Sequence, residues 1–211
     1  MVAETIAGAP GSAVPHDSSR LHVTGRATYT DDIAEPRDLL HIAVGMSERP
    51  HARISSMDFS AVLAARGVVD VIVADDITGK NNCGPVVEDD PILAAGIVEY
   101  AGQALFAVAA ETVEDARRAV KLARIEYEDL PPILDIRQAI ESGSFVLPSE
   151  TLSRGDSRKA IESAANRLSG SVSLGGQDQF YLEGQIAMAL PREDGDLFVY
   201  SSTQHPGEVQ H

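Results

Sequence analysis

At 211 residues and 44% hydrophobic content, the chain is long enough to bury a core and too apolar to be disordered throughout. Its 32 acidic against 17 basic residues give a net charge of -15, which excludes a basic footprint for phosphate and argues against nucleic acid as a partner. A single cysteine, Cys83, excludes an internal disulfide and an iron–sulfur cluster held by this chain alone.

Residues 1–21 are rich in Gly, Ala, Ser and Pro and read as a flexible arm. They lack the basic start and apolar run of a secretory signal. No window holds 18 consecutive apolar residues, so no membrane span is expected. With one thiol, the expected compartment is the cytoplasm.

"RATYTDD", Arg26 to Asp32, is a short strand candidate. "DLLHIAVGM", Asp38 to Met46, is a strand with an apolar stretch. Ala52 to Asp58 alternates with period two and predicts a strand exposed on one face. Phe59 to Gly67 predicts a short helix closed by glycine. The β-branched run Val68 to Asp76 predicts a buried strand. A long loop, 77–97, follows and carries Cys83 as an incidental exposed thiol.

Leu105 to Thr112 predicts a strand that runs into a helix cap at Thr112. The helix Val113 to Ala123 places Ala116, Ala119, Val120 and Ala123 on one face, with Glu114 and Asp115 in its first turn. "RIEYEDLPP" is a strand stopped by Pro131 and Pro132. Residues 22–130 therefore form one compact mixed unit, and 131–155 form a connector with a short helix, Ile136 to Glu141. From 156 a helix, "DSRKAIESAA", precedes three strand candidates, "NRLSGSVSLGGQ", "EGQIAMALP" and "GDLFVYSS". "PREDG", Pro191 to Gly195, is the hairpin turn between the last two. Pro206 is placed as the first-turn proline of a new helix. One helix and three strands are too few to close a core, so the chain is expected to be a piece of something longer.

The residues alone give no self-contained active site. The six histidines form no tight ligand pair, and His205 and His211 are six apart, not the three or four that share a helix face. Gly175 and Gly176 are followed by neither Lys-Ser/Thr nor a helix, which removes the case for a nucleotide loop.

Three stretches carry a family resemblance: "RLHVTGRATYTDDI", "DDPILAAGIVEYAGQALFAVAAETVEDARRAVKLARIEYEDLPPIL", and "GGQDQFYLEGQIAMALP" with "LFVYSSTQHPGEVQH". Together, in this order, they resemble the start of the molybdenum-binding subunit of the xanthine dehydrogenase and aldehyde oxidase family, in its bacterial xanthine dehydrogenase form. The resemblance implies an α+β fold, with an α/β hammerhead domain at 22–130 and, at 156–211, the incomplete beginning of a molybdopterin-binding domain. It implies oxidative hydroxylation of hypoxanthine and xanthine to urate, with water as the oxygen source. Electrons would pass through 2Fe-2S clusters and FAD on a partner subunit to NAD. The partners would be that iron–sulfur/FAD subunit, the rest of the molybdenum subunit and a purine substrate, with no nucleic acid and no membrane.

One residue is carried over. The glutamine of "STQ", Gln204, would lie beside the molybdenum centre and donate its amide to a metal-bound oxygen, without adding charge. Its bland alternative is a surface or capping amide. No catalytic residue and no direct metal ligand are expected in these 211 residues, because the family's general base belongs to a "GGGFGGKE"-type motif absent from this sequence. Glu183 and Glu208 do not substitute for it. Glu183 reads as structural, and Phe180 and Tyr181 as core fillers. No cofactor is expected on this piece alone. Two other readings stay open: a related hydroxylase acting on an aldehyde or another N-heterocycle, and a non-catalytic binding or assembly module.

Overall fold

A computed structural model describes residues 13–210. Most of the expected arm, residues 1–12, lies outside the described residues, as does His211. The chain divides into two units, one of residues 37–175 and one built from residues up to 36 together with 176–211.

The larger unit is organised around one apolar strand. Its first two strands are β1 (His41–Met46) and β2 (Ala52–Asp58), followed by the short helix α2 (Ser60–Leu63) and β3 (Val68–Val73). Helix α1 (Ser19–Val23) precedes them and belongs to the other unit. Then come β4 (Ile97–Val98), β5 (Ala104–Ala110), α3 (Val113–Val120), β6 (Arg124–Asp129), α4 (Ile136–Ser142) and α5 (Ser157–Ser163). Strand β5 lies between β1 and β3, antiparallel to both, in one three-stranded sheet. Strand β2 lies between β4 and β6 in a second. A central strand covered on its faces has no polar side to show, which is why "ALFAVAA" reads as a continuous apolar run.

Leu105, Phe106 and Val108 of β5 join Val62, Ala94, Val98 and Ala119 in the core. Burying a side chain of the size of Leu105 or Phe106 contributes about 1.5–3 kcal/mol. Gly45 faces Phe106 in register across β1 and β5. A Cβ at Gly45 would sit 2.1 Å from the Phe106 ring. The glycine is therefore required by the ring, whose other neighbour is Phe59 at 4.8 Å between centroids.

Helix α3 packs on β1 and β5 through Ala116 and Ala119. Its start is fixed by a reciprocal pair. Thr112 Oγ1 accepts from Asp115 N at 3.1 Å, and the Thr112 hydroxyl donates to Asp115 Oδ2 at 2.8 Å. Arg118 donates to the other carboxylate oxygen at 2.6 Å. Asp115 is only 8% exposed, so these donors replace most of its water. Gly67, at φ +74°, lies against this carboxylate; a Cβ there would stand 2.7 Å from Asp115 Oδ2. Its carbonyl accepts from Glu111 N at 2.8 Å.

Three expected strands take other forms. "RATYTDD" contains a 3-10 turn, Thr30–Asp32, instead of a strand. Asp32 Oδ2 accepts from Tyr29 N at 2.9 Å, a local bond that competes with sheet pairing. The run Val68 to Asp76 is a strand only to Val73, because Asp76 accepts from Val73 N and turns the chain. It is an edge strand rather than a buried one, with Val69 54% exposed. "NRLSGSVSLGGQ" forms no strand; Leu168, Val172 and Leu174 are exposed and find no partner among the described residues.

Replacing Gly45 by alanine drives a methyl into Phe106 and is expected to cost about 1–3 kcal/mol, read as a lower urea midpoint. The penalty should shrink when Phe106→Leu is added. The Thr112 hydroxyl, and then Arg118, hold the Asp115 carboxyl below its ordinary value of 3.8. The unfolded chain therefore takes up this proton first as pH falls. The stabilisation is complete above the ordinary value and disappears as pH drops through the lower, folded one. Urea midpoints at neutral and at acid pH should consequently diverge more for the native protein than for Asp115→Asn.

Candidate functional site

The smaller unit carries the only hairpin among its described residues: β7 (Ala187–Pro191) and β8 (Leu197–Ser201), paired antiparallel from Ala187–Ser201 to Pro191–Leu197. The turn is the expected one. Arg192 N donates to Asp196 O at 2.7 Å, and Asp194 and Gly195 both take positive φ. Phe198 and Tyr200 meet edge to face at 4.8 Å, with the Arg192 guanidinium 5.3 Å from the Phe198 ring.

Beyond the open end of the hairpin, the chain passes through Ser202, Thr203 and Gln204 into α6 (Pro206–Gln210). Pro206 is the first helical residue, as its fixed φ and missing N–H favour. Thr203 Oγ1 accepts from His205 N at 3.0 Å. The His205 carbonyl accepts from Glu208 N and Val209 N. Gln204 stands between these two capping interactions. It is exposed, and its amide makes no hydrogen bond to a described residue.

Gln204 lines a cleft of about 660 Å³ with Tyr181, Glu183, Gln185, Ile186 and Thr203. Gly184 and Ser202 complete one wall, and nothing lies within 4 Å of where a Gly184 Cβ would be. The lining offers two amides and several hydroxyls, and one carboxylate. That carboxylate is already engaged: Glu183 Oε1 accepts from Thr30 N at 2.9 Å and so caps the turn at Thr30–Asp32. Sequence reasoning did not find this link, since no local signal connects residues 153 apart.

Phe180 and Tyr181 do not fill a core. Phe180 is 92% exposed and Tyr181 53%. The stretch around them takes no strand; Asp178 Oδ1 accepts from Phe180 N in a local turn that holds Phe180 at φ +54°. In the larger unit Cys83 is exposed, and partial desolvation by its loop, followed by the Asp90 charge, pushes its thiol up, away from a reactive thiolate.

No group of three His, Cys, Asp or Glu side chains among the described residues could hold a metal ion. A metal at this cleft would have to arrive with ligands of its own. Neutral amides and hydroxyls around an open cleft fit a polar cofactor of that kind, because they can orient it without altering its charge. Among the described residues no helix is long and apolar enough to cross a membrane.

Residues 24–131 match the family described as aldehyde oxidase and xanthine dehydrogenase, a/b hammerhead domain. Residues 141–211 match the molybdopterin cofactor-binding domain. The chain is 44% identical over 202 residues to aldehyde oxidase 2 of Rattus norvegicus, covering 95% of this chain and 15% of the relative. It is 41% identical over 199 residues to xanthine dehydrogenase of Drosophila subobscura, covering 92% and 15%. The crystal structure of quinoline 2-oxidoreductase from Pseudomonas putida 86 superposes with a TM-score of 0.73 at 27% identity, over 92% of this chain and 27% of that one. The chain thus spans 15% of the length of both sequence relatives.

Glu183→Ala leaves the Thr30 N–H without its acceptor. Hydrogen exchange at that amide should accelerate by about tenfold, whereas Glu183→Gln, which keeps an acceptor oxygen, should change it little.

Proposed function

The chain belongs to the aldehyde oxidase and xanthine dehydrogenase family, and from that premise we propose that it is part of the molybdenum subunit of a xanthine dehydrogenase. Residues 22–130 are assigned to the hammerhead domain, 131–155 to a connector and 156–211 to the beginning of the molybdopterin-binding domain. The whole enzyme oxidises hypoxanthine and xanthine to urate with water as the oxygen source. Its electrons pass through iron–sulfur clusters and FAD on a partner subunit to NAD, in the cytoplasm.

The observation that carries this reading is Gln204. Its amide has no described partner, it lines the cleft, and it lies at a strand-to-helix junction inside the stretch that matches a molybdopterin cofactor-binding domain. The molybdopterin supplies the redox chemistry when bound. Gln204 would donate its amide N–H to that group, and Gln185 and Thr203 would border it. A neutral donor orients the group without shifting its charge, which a lysine or glutamate at this position would do. Glu183 has a structural task here, since its Oε1 accepts from Thr30 N.

A second reading has support of its own. Aldehyde oxidase 2 is as similar to this chain as xanthine dehydrogenase is, at 44% against 41% identity. The substrate would then be an aldehyde or another N-heterocycle.

The deciding experiment measures molybdenum and pterin per protein, and turnover on xanthine, hypoxanthine and an aromatic aldehyde, in the purified enzyme that carries this chain. Purine turnover is the expected result, and aldehyde turnover alone would replace it with the second reading. Gln204→Ala is expected to lower kcat by about 10–100-fold. Full loading with unchanged kcat in that variant would remove Gln204 from the site.

A further inference from the structure

We infer that Ser202 is a positioning residue that sets where Gln204 presents its amide; this rests on the cofactor role proposed above for Gln204. The β7–β8 ladder ends at the Ala187–Ser201 pair. One more backbone rung follows, in which Ser202 N donates to Ile186 O at 3.0 Å. The Ser202 side chain then does what no further backbone group can. Its Oγ accepts from Ile186 N at 2.9 Å and donates to Gly184 O at 2.8 Å, with Ile186 O at 3.3 Å as a longer alternative. A single half-buried hydroxyl thus fastens the whole 184–186 segment to the outgoing chain.

Both ends of that bond line the cleft, as does Gln204. Two residues of chain reach about 7 Å at most, so a shift at Ser202 passes to Gln204 with little slack. On the far side, Thr203 Oγ1 and Pro206 already fix the chain into α6. Ser202 is therefore the remaining anchor of the junction. Misplacement of a group by about 1 Å is enough to cost up to about a hundredfold in rate.

Ser202→Ala removes the hydroxyl but keeps the backbone rung to Ile186 O, so the hairpin should persist. The experiment is a double-mutant cycle of Ser202→Ala and Gln204→Ala in the full enzyme, with Ser202→Thr as the hydroxyl-retaining control. It reads kcat, molybdenum per protein and the electron paramagnetic resonance signal of molybdenum in partly reduced enzyme. If Ser202 acts through Gln204, Ser202→Ala lowers kcat by about tenfold and alters the signal with loading intact. Ser202→Thr restores both, and Ser202→Ala has less than about a twofold further effect in the Gln204→Ala background.

An equal effect of Ser202→Ala in both backgrounds would overturn the inference while leaving Gln204 in place. So would loss of molybdenum from Ser202→Ala when Gln204→Ala stays loaded, since the hydroxyl would then serve folding alone. No effect of Gln204→Ala on rate or signal would overturn the cofactor role itself, and the positioning role with it.

Discussion

Strand β5 has neither a free edge nor a free face, and the larger unit is arranged to keep it so. β1 and β3 take its two sets of backbone groups, while α3 covers it through Ala116 and Ala119. Small residues on the helix allow close approach on that face, while within the sheet the Phe106 ring lies across its paired Gly45 and leaves no room for a Cβ there. The start of α3 lies against Gly67, where the Asp115 carboxylate occupies the space a side chain would need. Two glycines, one aromatic ring and one buried carboxylate thus close around this strand and its end. An apolar strand must be covered on all sides, and the polar groups at its end must be paired within the protein.

The smaller unit solves a different problem with fewer elements. A two-stranded hairpin is marginal by itself. Its open end is reinforced by side chains rather than by further strands: Ser202 holds 184–186, and Thr203 holds His205. Glu183 in turn holds Thr30, bringing the 30–32 turn to the rim. Every polar side chain along this rim with a hydrogen bond is spent on backbone. Gln204 is left as an exposed amide with no hydrogen-bond partner in the described chain, open to water or to a group bound in the cleft.

The sequence pattern made the elements of the larger unit legible wherever period and capping agreed. Ala52 to Asp58 alternates and is a strand; Thr112, Glu114 and Asp115 mark the start of α3. It misled where hydrophobic content outran the available partners. Val68 to Asp76 is β-branched throughout yet forms an edge strand that Asp76 cuts short, because a side-chain carboxylate competes for the Val73 N–H. Leu168, Val172 and Leu174 have strand-like spacing and no strand to pair with. Phe180 and Tyr181 look like core residues by type, but burial depends on what lies across from them, which a local pattern does not contain. Gln204 was singled out only through the resemblance of "STQ" in its surroundings. Its chemistry alone, one exposed glutamine, would not single it out. The bond from Glu183 to Thr30 was invisible for a simpler reason, since it joins distant segments with no periodic trace.

The division of labour between the two units bears on why aldehyde oxidase, xanthine dehydrogenase and quinoline oxidoreductase relatives all align with this chain. The cleft beside Gln204 is lined by amides and hydroxyls with a single carboxylate, Glu183, so most of its polar groups recognise hydrogen-bonding edges rather than charge. Such a lining suits a cofactor common to enzymes with unlike substrates. Discrimination between a purine and an aldehyde needs groups that touch the substrate and are left unpaired by the wrong one, a penalty that buried polar contacts supply and an exposed amide does not.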